Sequence, residues 1–223
     1  GLAVILGVAC LTGTMVLTDT MGHTFDEVLA TNNAGVDVVV QQPEQLDAEF
    51  GDATERVPAS TVDEIRAVDG VRSAAGSIQG FAQLVKADGK VGSLDGLGAT
   101  IGSNWVADPD LNPLSLASGR APEASGEVVL DRNTVEAEGW SIGDPITVLA
   151  KGQPEELTLV GTASFGEVGG VPGSSLVAVI DGDAQRMFAE PGAYDFVAVN
   201  AEDGVDEAAL ATSIDRALGT GTF

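Results

Sequence analysis

The sequence predicts an α+β fold. It reads as a mixed sheet of βαβ-type elements from both chain ends, with an inserted small β-rich subdomain and a transmembrane and stalk helix in front. Three observations lead there. The first eighteen residues, Gly1 to Thr18, carry no charged side chain, whereas the 223-residue chain as a whole has a net charge of −24. A strand, a helix and a strand then follow at βαβ spacing, and a strand and a helix recur near the end. Between them lie short apolar runs separated by turn residues, in a chain with 29 glycines and only 4% aromatics.

As a helix, the opening segment reaches roughly 26 Å, close to the ~30 Å hydrocarbon core of a bilayer. A cleaved signal peptide would need a basic n-region and a small-residue cleavage site, and neither is visible. A lipid anchor at Cys10 is suggested by Val8-Ala9-Cys10, but Gly7 opens that pattern poorly and apolar residues continue after the cysteine. A transmembrane helix fits best, because Met21, Phe25, Val28 and Leu29 continue at i, i+4, i+7 and i+8. Asn32, Asn33 and Gly35 supply the stop. The expected organisation is a transmembrane helix over 1–18, a helical stalk over 19–35, and an extracytoplasmic α+β domain over 36–223 with a β-rich insertion at about 115–165. A chain that begins at Gly1 and is already apolar there is expected to be part of something larger.

The elements follow in order. Val36 to Val40 is a strand, and Gln41 to Pro58 a polar loop. Ser60 is the expected N-cap of a helix in which Val62, Ile65 and Val68 share one face until Gly70. Val71 to Val85 alternates as one long strand or two, ending at the turn Asp88-Gly89-Lys90. Glu127 to Leu130 is a strand, and a short helix lies around Asn133 to Glu138. Ile146 to Leu149 and Leu157 to Gly161 form a hairpin or meander joined through Lys151-Gly152-Gln153-Pro154. Ser164 to Ser175 is a glycine-rich loop returning to a strand over Leu176 to Asp181. Tyr194 to Asn200 is a strand, and Asp206 to Leu218 a helix with Leu210, Ile214, Ala217 and Leu218 on one face. The strands of the two chain ends are expected to share a sheet.

Composition excludes several function classes. With ten Lys plus Arg against 34 Asp plus Glu, nucleic acid and anionic lipid heads would be repelled. One cysteine excludes internal disulfides and a cysteine-based metal site. No phosphate loop, HExxH, CxxC or G-x-S-x-G pattern occurs. The single histidine, His23, falls on the proposed stalk as a solvated helix residue. Asp108-x-Asp110-x-Asn112 begins like a calcium loop, but Pro113 and Gly119 stand where that loop needs Gly and Glu. It reads as a turn cluster. Gly96, Gly98 and Gly102 miss dinucleotide spacing and read as bends in a strand. No catalytic, cofactor-binding or metal-ligating residue is assigned.

Four pieces in order carry a family resemblance: Gly119-Arg120-Ala121-Pro122, Gly126 to Leu130, Gly139 with Ile142 to Val148, and Leu159-Val160-Gly161. Together with Thr18-Asp19-Thr20 and Phe25 near the opening, they resemble the extracytoplasmic domain of MacB-type and FtsX-like ABC-transporter permeases, over essentially the whole chain. The motif residues have structural reasons. Gly119 and Gly143 sit where a turn needs positive φ. Arg120 and Glu127 have lengths and charges suited to fixing a loop against the β subdomain, and Asp144 can close an Asx-turn.

The resemblance implies a non-enzymatic membrane component whose partners are a cytoplasmic ABC ATPase subunit, the lipid bilayer and either a second copy or a second permease domain, with no nucleic acid. It places the domain on the extracytoplasmic side of the cell membrane, coupling ATP-driven helix movement to export or extraction of a substrate. The substrate stays open among lipid, lipoprotein, peptide and drug. A singly anchored binding or scaffold module, an FtsX-like regulator of a cell-wall hydrolase, and an extracellular hydrolase are the alternatives.

Overall fold

Alternating apolar residues at both ends of the described chain meet in one sheet. The computed structural model describes residues 36–42, 56–86, 89, 91–92, 100–151, 153–165 and 175–219. The expected transmembrane helix and stalk, residues 1–35, lie outside them, as do Gly96, Gly98 and most of the glycine-rich loop. No described helix is long and apolar enough to cross a membrane.

The first sheet has the order β1 (Val38–Gln41), β13 (Phe196–Ala201), β3 (Val71–Ser77). Both outer strands run antiparallel to β13, so β1 and β3 are parallel and the last strand of the chain splits a βαβ unit. Helix α1 (Ala59–Arg66) connects them, and α4 (Glu207–Leu218) packs beside it. Val62, Ile65, Leu210 and Ile214 meet Val40, Val197 and Val199 in a buried cluster. Asp206 caps α4, accepting from the Ala209 N–H at 2.9 Å. Ser60 does not cap α1. The helix begins two residues earlier, behind Pro58, with no side-chain cap, and the Ala59 N–H donates to the Gly192 carbonyl at 2.8 Å instead. That bond belongs to a two-residue ladder between β2 (Val57–Pro58) and β12 (Ala193–Tyr194).

The second sheet closes on itself. Going round, β4 (Gln79–Val85) pairs β6 (Thr100–Asn104), then come β11 (Ser175–Val179), β8 (Glu127–Asp131), β10 (Gln153–Phe165) and β9 (Pro145–Ala150), which pairs β4 again. The β6–β11 and β8–β10 pairs are parallel and the others antiparallel. Inward positions alternate along each strand: Ala82 and Leu84, Val128 and Leu130, Ile146 and Val148, Leu157 and Leu159. Helix α3 (Asp181–Met187) supplies Ala184 and Met187 to the same cluster, and Phe188 follows. Gly80 and Gly102 face each other across the β4–β6 ladder, and a Cβ on either would collide with Phe188. Gly102 therefore makes room for a ring, where the sequence suggested a bend.

Outside this circuit, β5 (Val91–Gly92) adjoins β4, and β7 (Leu114–Gly119) pairs the last residues of β10. Helix α2 (Arg132–Glu138) is capped by Asp131 and ends at Gly139, φ 70°. The β9–β10 hairpin appears as expected. The β-rich region is wider than 115–165, extending from Gln79 to Val179, because β4 and β6 complete the circuit. The long alternation Val71–Val85 is two strands in two different sheets, separated by Ile78. The strand expected through Asp181 stops at Val179, and Asp181 opens α3.

Candidate functional site

Where the chain steps from β3 to β4 it leaves one ladder before it joins the next, so the backbone polar groups of Ser77, Ile78 and Gln79 need other partners. Side chains and loop backbone provide them. Asn104, at the end of β6 and only 2% exposed, accepts from the Ile78 N–H at 2.8 Å. Its amide nitrogen donates to the Gly76 carbonyl at 2.9 Å and to Asp181 Oδ1 at 2.8 Å. Asp181 Oδ2 accepts from the Tyr194 hydroxyl at 3.0 Å. Asp195 accepts from the Gln79 N–H at 2.7 Å and from Arg56 Nε at 2.8 Å, while its own N–H donates to the Ser77 carbonyl at 2.9 Å.

These bonds form a brace between the two sheets. Gly76 belongs to the three-stranded sheet, and a Cβ there would run into the Tyr194 ring. The ring therefore lies on the strand, with its hydroxyl reaching α3 of the barrel. Burial pushes the Tyr194 hydroxyl pKa up to about 12, and the adjacent Asp181 carboxylate adds to the shift. The phenol stays protonated and keeps donating.

Beside the brace is a groove of about 830 Å³, bounded by α1, the outer edge of β3 and the segment Asn104 to Asp108. Its ionisable groups are engaged. Arg66 Nε donates to the Ala74 carbonyl at 2.9 Å and Nη1 to Asp63 at 3.1 Å. Asp108 accepts from the Asp110 N–H at 3.0 Å, and Asp181 is held by Asn104 and Tyr194. The hydroxyl that meets a carboxylate in the lining, Tyr194 on Asp181, is part of the brace. Among the described residues no cluster of His, Cys, Asp and Glu could hold a metal ion. The arrangement positions backbone and joins sheets.

The motif residues lie elsewhere, on the barrel. Gly119 and Gly143 do take positive φ, 73° and 101°. Arg120 makes a two-pronged pair with Glu127, one bond of 2.7 Å, and Glu127 also accepts from the N–H groups of Glu123 and Ala124 at 2.8 and 3.2 Å. The 120–127 loop is thereby closed against the start of β8. The Arg120 hydrogen bond, followed by the backbone N–H of Glu123, lowers the Glu127 pKa to about 2. Asp144 differs from the expected Asx-turn: its carboxylate reaches back to the Ser141 N–H at 2.8 Å, and its N–H donates to the Ser141 carbonyl at 3.0 Å. Asp108 to Asn112 is a turn cluster, with Asn112 bonding the Val106 carbonyl at 2.7 Å and the Leu114 N–H at 3.0 Å. His23 lies outside the described residues.

Sequence reasoning missed Asn104, Asp181, Tyr194 and Asp195. Their only signal was a polar residue at each end of an apolar strand, which is also what an ordinary turn shows.

A family model described as "MacB-like periplasmic core domain" matches residues 2–217. The periplasmic region of MacB from Actinobacillus actinomycetemcomitans is similar in structure, with TM-score 0.61 at 14% identity, covering 87% of this chain and 88% of that one. So is the extracellular domain of the noncanonic ABC-type transporter YknZ from Gram-positive bacteria, with TM-score 0.56 at 18% identity, covering 83% and 94%. No curated protein matches the sequence. The chain belongs to the MacB-like periplasmic core domain family, whose members are extracytoplasmic parts of membrane transporters.

Proposed function

We propose that this member of the MacB-like periplasmic core domain family passes movement from the membrane helices of an ABC-transporter permease subunit to the extracytoplasmic side, where export or extraction of a substrate uses it. The observation that supports this reading is the brace between the sheets. Ser77, Ile78 and Gln79 are each tied by Asp195 or Asn104, and Asn104 is tied in turn to Asp181 and Tyr194. A displacement delivered to the three-stranded sheet through β1 would reach the barrel with little slack, because each crossover residue is held by at least one hydrogen bond.

In this reading residues 1–18 span the bilayer, residues 19–35 form a rigid stalk, and 36–223 is the extracytoplasmic domain. A cytoplasmic ATPase subunit supplies the movement, and a second copy or second permease domain completes the assembly. No residue of this chain is asked to do covalent chemistry. A Gly-Gly-Ser insertion at Asp26 in the parent transporter tests the idea. ATP hydrolysis should continue while export falls to background. Undiminished export with that insertion would rule out rigid coupling through the stalk.

A further inference from the structure

We propose that β7 is a docking edge, taking an extended segment of a partner protein as an added strand, and that this segment is uncharged where it pairs and positively charged beside it. The inference goes beyond the transport reading and does not depend on it. A strand at the end of a sheet shows a row of unpaired N–H and C=O groups, and proteins defend such edges with charge, proline, shortness or cover.

The edges of β3 and β5 are defended. On β3, Arg66 occupies the Ala74 carbonyl, Asn104 occupies the Gly76 carbonyl, and Arg72 stands at a shift of register between Asn200 and Ala201. Beside β6, at the end of β4, β5 is only two residues long. In contrast, β7 is Leu-Ser-Leu-Ala-Ser-Gly, without charge or proline, in a chain where 20% of residues are charged. Five of its six residues are exposed, Leu116 by 43%. One side pairs β10, and no described strand pairs the other. Its one irregularity, at Ala117, interrupts the ladder without ending it.

An open edge selects an extended backbone over a helix, since only a strand matches its row of donors and acceptors. The charge selects among strands. A net charge of −24 repels a second copy of this chain and any acidic segment, and it draws in a cationic one.

Hydrogen exchange on the 223-residue chain tests this, with a peptide of alternating threonine and valine that carries two lysines at each end as the probe. Exchange at residues 114–119 should slow, and binding should be at least ~10-fold tighter than for the same peptide ended in glutamates, as steering by a single-sign field allows. Leu116→Lys, on the surface and so neutral to folding, should weaken the lysine-ended peptide roughly tenfold, through like charges brought together. The proposal is overturned by no slowing over 114–119, by equal binding of the two peptides, or by slowing elsewhere alone. Slowing that needs no peptide and grows with protein concentration would put a second copy on the edge and overturn it too.

Discussion

The barrel and the three-stranded sheet bury backbone by different means. Around the barrel every one of six strands has a strand on each side, so most ladder groups are satisfied by closure around a largely apolar interior. The three-stranded sheet has two open edges and relies on what is laid against it. Helices α1 and α4 cover one face, while Val106 and Leu111, from the segment leaving β6, pack with Ala75 and Ala198 on the other. The barrel stands by itself, and the smaller sheet borrows part of its core and its crossover bonds from the barrel.

That difference is broken most directly in the cores. Leu159, fully buried in the barrel wall, and Ile65, fully buried under the small sheet, are each expected to cost about 2–5 kcal/mol when cut to alanine. The patterns should differ. Leu159→Ala is expected to lower exchange protection in both sheets together, because the smaller one depends on the barrel. Ile65→Ala should expose β1, β3 and β13 while the barrel amides stay protected. Equal loss everywhere in both variants would show one cooperative unit and remove the asymmetry.

A second test sharpens the claim that the barrel is filled to its limit. Gly102→Ala places a methyl group against the Phe188 ring, which is only 5% exposed and packed among barrel residues, so about 1–3 kcal/mol should be lost by thermal unfolding. Recovery in the double variant Gly102→Ala, Phe188→Leu would tie the loss to that contact. An additive double variant would not.

The same comparison explains what could be read in the sequence. The Leu210 and Ile214 face and the β9–β10 hairpin depend on residues close along the chain and are legible there, although the equally local Ser60 cap does not form. The pairing of Ala82 with Ala150 does not. It joins positions 68 apart, and nothing in either strand's alternation specifies its partner, so barrel closure is not legible in the sequence. The α3 helix was missed because a seven-residue helix offers two turns of pattern at most, and its apolar Ala184 and Met187 follow directly on a strand. Asn104 shows the limit for sites. Its three bonds go to residues 26, 28 and 77 positions away, which no spacing rule connects.

At the seam itself, Asn104→Ala leaves the Ile78 N–H and one bond of Asp181 without their partner. We expect a loss of about 1–3 kcal/mol, the cost of a buried group left unpaired. Exchange should rise first at Ser77 to Gln79 and Tyr194, with barrel and small-sheet amides following only on global unfolding. In the parent transporter the same variant should reduce export per ATP hydrolysed. A variant that loses stability uniformly, with export per ATP unchanged, would make Asn104 an ordinary core residue.

The smallest effect is expected at Glu127, and it concerns only the barrel side. Its carboxyl titrates near 2 in the folded chain, against an ordinary 4.5, because Arg120 and the N–H groups of Glu123 and Ala124 favour the charged form. The unfolded chain therefore takes up this proton first. Glu127's contribution to stability is complete above about pH 4.5, and it is lost as pH falls from there towards 2. The 34 acidic residues complicate a bare pH titration, since neutralising them also relieves repulsion in a chain of net charge −24. The useful quantity is the difference in urea midpoint between the parent chain and Glu127→Gln, followed from pH 6 to pH 2.5. It should be constant above 4.5 and shrink below it, with the earliest acid loosening at residues 120–127 and at the start of β8, where Gly126 and Thr158 join the loop to β10. A difference that does not change with pH would mean that the Arg120 pair holds the loop without drawing on the charge of Glu127.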